Sequence, residues 1–92
     1  MPAPKIKKTI PVDKYFKLSN GKIIKDLKEL ALALETMPFD VFNHHVNHER
    51  NDFAKWINDV FMEKSLATDI NLVHNSKDAE IVVLKFIVNK LY

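Results

Sequence analysis

The stretch that decides the fold is Asn51-Asp52-Phe53-Ala54-Lys55-Trp56-Ile57-Asn58-Asp59-Val60-Phe61. Its large apolar residues, Phe53, Trp56, Ile57, Val60 and Phe61, stand at i, i+3, i+4, i+7 and i+8. At 3.6 residues per turn this spacing lays all five along one stripe, which predicts an amphipathic helix packed on a core. Asn51-Asp52 precedes it, and short polar side chains there satisfy the first free amides of the helix. Trp56 sits in the middle of the stripe. Tryptophan is enriched in binding hot spots, but at this register it is expected to be core.

On the N-terminal side a second helix is expected to begin near Asp40, with Val41, Phe42, His45 and Val46 on one face and a break at Arg50 or Asn51. Before it, Leu27, Leu30, Ala31 and Leu34 repeat at helical spacing from about Asp26 to Thr36. Asp26 followed three residues later by Glu29 reads as a capping box, and Pro38 stops the helix. Earlier still, Tyr15-Phe16-Lys17-Leu18, Ser19-Asn20-Gly21-Lys22 and Ile23-Ile24 read as a short β-hairpin. Asn-Gly is the strongest two-residue hairpin signal, since a type I′ turn needs positive φ twice. An isolated hairpin is marginal, so this one must lay Phe16, Leu18 and Ile23 or Ile24 on the helices. On the C-terminal side, Leu66, Ala67, Ile70 and Val73 mark a short fourth helix. A last segment is expected to be capped by Ser76, with Asp78 and Glu80 in its first turn where the helix dipole favours negative charge. Ile81-Val82-Val83-Leu84 is β-branched enough for a buried strand, but the cap, the length and the trailing Lys85 and Lys90 favour helix.

These elements make a mainly α protein: a short N-terminal β-hairpin followed by a compact bundle of four to five short helices. Its 92 residues allow one domain. Residues 14–92 are expected to form it, with Phe16, Phe39, Phe42, Phe53, Trp56, Phe61 and Phe86 supplying its interior. Residues 1–13, rich in proline and lysine, read as a flexible basic arm. The chain has no cysteine, which excludes disulfides, thiolate nucleophiles and cysteine-ligated metal sites. Its most apolar run, Ile81 to Val88, is far short of the roughly twenty residues of a membrane span. The first residues lack the apolar core of a signal peptide, so a cytoplasmic location is expected.

Net charge is +2 but lopsided. Residues 1–28 carry eight lysines against Asp13 and Asp26, a net +6, and the remainder carries a net −4. Such asymmetry points to an arm that meets a polyanion or acidic partner, or to a solvated tail that keeps a small protein soluble. Lys5, Lys7, Lys8, Lys14 and Lys17 are the expected contacts, with Tyr15 a possible stacking face for DNA or RNA. Arg50 is the single arginine, so base-specific readout is not expected; nucleic-acid binding would be directed at the phosphate backbone.

Several blocks taken together carry a resemblance. Phe16-x-Leu18-x-x-Gly21, Leu27-Lys28-Glu29-Leu30, Phe42-x-x-His45-Val46-Asn47 and Asn51-Asp52-Phe53-Ala54-x-Trp56-Ile57-x-x-Val60-Phe61, ending in Leu66-Ala67, resemble a small domain of unknown function found in archaeal and bacterial proteins. The resemblance spans roughly residues 15–73 and implies a compact helical module with no known catalytic residue. The sequence departs from that pattern at Met62-Glu63, where a Gly-Asp turn would be expected.

One cluster invites chemistry: Asn43-His44-His45-Val46-Asn47-His48-Glu49, with Asp52 behind it. On a continuous helix His44 and His48 stand at i, i+4, a spacing at which two imidazoles share a metal, and Asp52 would be a third ligand. A junction at Arg50-Asn51 would swing Asp52 away and leave His44 and His48 on the surface, with His45 packed beside Phe42. A histidine paired with Asp52 is also a candidate acid–base pair. No nucleophile, oxyanion hole or glycine-rich phosphate loop accompanies it, so neither enzymatic activity nor a cofactor is expected. The leading expectation is a non-enzymatic module that docks on a larger protein or ribonucleoprotein assembly through its basic arm and helical domain. The second is a sequence-nonspecific DNA- or RNA-binding protein.

Overall fold

The structure is a computed structural model and describes residues 10–91. The greater part of the expected arm, with Lys5, Lys7 and Lys8, lies outside the described residues. A single 3₁₀ turn, Val12–Lys14, leads into β1 (Phe16–Lys17) and β2 (Ile23–Ile24), then α1 (Leu27–Glu35) and α2 (Phe39–His45). A second hairpin follows, β3 (Val46–Asn47) and β4 (Arg50–Asn51), then α3 (Asp52–Trp56), a π-helical turn (Ile57–Phe61), α4 (Lys64–Ile70) and α5 (Ser76–Leu91). The protein is mainly helical, as the periodicities predict, with five α-helices and a short antiparallel N-terminal hairpin.

The core is assembled from the predicted stripes. Leu27, Leu30, Ala31 and Leu34 of α1, Val41, Phe42 and His45 of α2, and Phe53, Trp56, Ile57 and Phe61 are all buried. The α5 helix lies mainly along α1, and α4 packs beneath α3 and against α5. Ile10 also belongs to this core. Phe39, expected inside, is 80 % exposed at the first position of α2.

Local chemistry sets the element boundaries. The Asp26 carboxylate accepts the Glu29 amide at 2.8 Å, the forward half of the predicted capping box, while Glu29 Oε1 reaches back to the amide of Lys25, one residue before the cap, at 2.9 Å rather than to that of Asp26. The final helix is capped by Asn75 rather than Ser76. Asn75 Oδ1 accepts the Asp78 amide at 2.8 Å, and Ser76 is already the first helical residue. Residues 81–88 are helix. The N-terminal hairpin pairs Phe16 with Ile24 and Lys17 with Ile23. Its turn is not the two-residue type I′ form. The Gly21 amide donates to Leu18 O, the Leu18 amide donates to Lys22 O, and only Gly21 takes a positive φ, 93°. That is a three-residue loop with a glycine bulge, and it turns Leu18 and Ile24 inward while leaving Ile23 exposed.

The decisive stretch is helical to Phe61, but its last turn is π-helical. A π turn closes an i→i+5 bond. It brings residues five apart together, and Trp56 and Phe61 meet edge to face with centroids 5.1 Å apart. The helix then ends on Met62 in the left-handed conformation, φ 56°, with the side chain in solvent. A left-handed residue with a Cβ carries a steric cost of about 1 kcal/mol. Met62→Gly is therefore expected to stabilise the fold by roughly 0.5 kcal/mol after the extra backbone entropy of glycine is set against it. Thermal denaturation should show a rise of a few degrees.

Candidate functional site

The histidine cluster is divided by the end of α2. The helix stops at His45, and Val46 is already extended. His48 falls in the tight turn of the β3–β4 hairpin, where Asn47 Oδ1 accepts the Glu49 amide at 3.0 Å. The i, i+4 helical relation that would have let His44 and His48 share a metal does not form. Asp52, the third candidate ligand, is turned toward His45 instead. Among the described residues no group of three His, Cys, Asp or Glu side chains stands where it would hold a metal ion.

His45 is 6 % exposed and bonds through both ring nitrogens. Its Nε2 accepts the Ser19 amide at 3.0 Å, and Nδ1 stands 2.9 Å from Asp52 Oδ2. A backbone N–H can only donate, so Nε2 must be the acceptor. The proton is therefore on Nδ1 and is donated to the carboxylate. His45 thus ties the hairpin turn to the start of α3. Its ring packs edge to face on Phe16, centroids 5.1 Å apart, and lies 5.5 Å from Phe53. With neither nitrogen open and the ring enclosed, the His45–Asp52 pair is built as a structural pin. Arg50 completes it: Nε lies 3.5 Å from Asp52 Oδ1, and Nη2 donates to His44 O at 2.6 Å, at the free carbonyl end of α2.

Asn51 is the second pin. Its Oδ1 accepts the Ala54 amide at 3.0 Å, capping α3, while Nδ2 donates to Ile70 O at 3.1 Å, the last residue of α4. Trp56 is the third. It is buried as expected, and its Nε1 donates to Lys14 O at 2.7 Å, forty-two residues away in the chain. The cap by Asn51 is legible in the sequence. The bonds to Ile70 and Lys14 are not, because they join backbone carbonyls that no side-chain pattern marks.

The first and third pins, His45 and Trp56, hold the basic segment. Lys14, Lys17, Lys22, Lys25 and Lys28 are all exposed, and none forms an ion pair among the described residues. Asp13 precedes Lys14 in the chain but forms no ion pair with it among the described residues, and Asp26 and Glu29 accept backbone amides at the start of α1. Period-two alternation sends Phe16 and Ile24 inward and Lys17 and Ile23 outward, so the outer face of the hairpin is basic with an apolar centre. Lys14 and Lys17, two of the expected contacts, are brought to this segment. Tyr15 is half-buried against the core, with the Lys25 ammonium 6.0 Å from its ring centroid, so it is not an open stacking face.

One further cleft lies between the β3–β4 hairpin and the connection from α4 to α5, lined by Asn43, Asn47, His48, Arg50, Asn71 and His74 among others. Its amides and imidazoles are mostly solvated, and among the described residues no buried side-chain polar atom lacks a hydrogen-bond partner. No helix of the described residues is long and apolar enough to cross a membrane. In comparisons with protein-family models, curated proteins and solved structures, nothing matches this chain.

Proposed function

We propose that this protein is a non-enzymatic interaction module that docks on a larger macromolecular partner through its basic N-terminal segment, with the helical domain as the rigid support. The observation that carries this reading is the set of exposed lysines without carboxylate partners, displayed on a hairpin pinned from behind by His45 and Trp56. With its backbone already held, the hairpin orders only its lysine side chains when it binds, which favours association with a complementary acidic surface. The exposed Ile23 among them supplies an apolar contact of the kind found inside polar rims. A protein partner with an acidic face fits both features better than a bare phosphate backbone does. Nucleic acid is the alternative polyanion, and it would be bound without base readout.

The test is a pull-down from native extract with the tagged full chain at low salt, with and without nuclease. The expected result is a specific partner that survives nuclease treatment and is released as salt rises, because screening shortens the reach of surface charge. Loss of the partner on nuclease treatment would transfer the reading to DNA or RNA. Capture of nothing at low salt would count against docking altogether.

A further inference from the structure

Buried Ala79 and Val83 mark the side of α5 that faces the core, yet Ile81, Leu84 and Val88 are 42 %, 44 % and 52 % exposed. These three follow one another at spacings of three and four, the a/d pattern by which one helix presents a narrow apolar seam to another. Within a helix about 24 Å long, the seam from Ile81 to Val88 covers about 10 Å, room for two or three layers of contact.

The charges beside the seam indicate what covers it. Lys77 is neutralised within the helix by Glu80, Nζ to Oε1 3.2 Å, which leaves exposed Asp78 as the net charge of the first turns. From Ile81 onward the helix has no acid and carries Lys85 and Lys90. The Lys90 ammonium lies 5.4 Å from the Phe86 ring centroid. Lys85 is exposed and forms no ion pair among the described residues. Asp78 and Lys85 are seven residues apart, two helical turns, so both lie on the same flank of the seam. One end of that flank is negative and the other positive.

We propose that α5 is a self-association surface on which a second copy of this chain docks antiparallel. In that arrangement Asp78 of each copy stands beside Lys85 of the other, twice over by symmetry, and the helix dipoles oppose. A parallel pair would align the two dipoles in the same sense and would not bring Asp78 and Lys85 together, because they share a flank. Three half-exposed aliphatic side chains per copy fall short of the roughly 800 Å² per partner of a standard interface. The dimer is therefore weak, with a dissociation constant on the order of tens of micromolar. The inference is independent of the basic hairpin, which uses different residues.

The experiment is sedimentation of the purified full chain from about 10 μM to about 1 mM, a range that brackets such a constant. The weight-average mass should climb from 10.7 kDa toward twice that value. Leu84→Lys should remain monomeric throughout. Asp78→Lys and Lys85→Asp should each weaken association about tenfold, and an equimolar mixture of the two should restore it, because each then meets its opposite charge. All three substituted positions are at the surface, and circular dichroism checks that every variant is folded. A wild-type chain that stays monomeric across the range overturns the proposal. So does undiminished association of Leu84→Lys, or a mixture no stronger than its components.

Discussion

Replacing His45 with leucine is expected to destabilise the fold by roughly 3 kcal/mol, seen as a fall of about 15 °C in the thermal midpoint. Leucine preserves most of the buried apolar contact with Phe16 and Phe53, so the loss isolates the polar role of the ring. The Ser19 amide loses its acceptor and the Asp52 carboxylate loses a donor, both in partly buried positions. Leaving such groups unpaired costs more than the net worth of the bonds themselves. His45→Gln should recover part of the loss, since its amide oxygen can take the Ser19 proton. Equal destabilisation by the two substitutions would show that packing alone explains the residue. Nitrogen-detected NMR of the imidazole offers an independent check, and the geometry requires the tautomer protonated at Nδ1.

Asn51→Ala is expected to be nearly as severe, at roughly 2–3 kcal/mol in chemical denaturation. An N-cap lost to alanine costs about 1 kcal/mol, and up to about 2. Here the same side chain also donates to Ile70 O at the end of α4, adding a hydrogen bond of about 1 kcal/mol. Asn51→Ser separates the two contributions. Serine retains the cap and lacks the reach to Ile70, so about half of the loss should return. A cost no larger than that of an ordinary cap would contradict the double role.

The helices were legible because their apolar residues repeat at helical spacing. The stripes 27-30-31-34, 41-42-45 and 53-56-57-61 are buried as read. The capping box of α1 and the cap at Asn51 follow from side chains that can reach only nearby amides. What escaped the sequence has equally concrete causes. The β3–β4 hairpin carries no glycine and no alternating apolar run; its His48-Glu49 turn is held by the Asn47 side chain, and its strands are two residues each. The π turn at Ile57–Phe61 leaves the i, i+4 pattern intact and shows only in the contact of Trp56 with Phe61. The exposure of Phe39 depends on which face of a seven-residue helix meets the core. In the candidate site, a packed His45 and the surface placement of His44 and His48 could be read from the stripe. The partners of His45 could not, because Ser19 lies twenty-six residues away and contributes only a backbone amide.

The docking reading rests on the exposed lysines of the hairpin, and reversing them is its most direct test. Lys17→Glu, Lys22→Glu and Lys25→Glu together alter only exposed side chains and leave the backbone bond from the Lys25 amide to Glu29 in place. Capture of the partner by this triple variant would be compared with that by the wild-type chain in the same low-salt extract, after circular dichroism and thermal melts show both equally folded. The account predicts that the variant captures less than a tenth of the partner. Undiminished capture by a folded triple variant would contradict it.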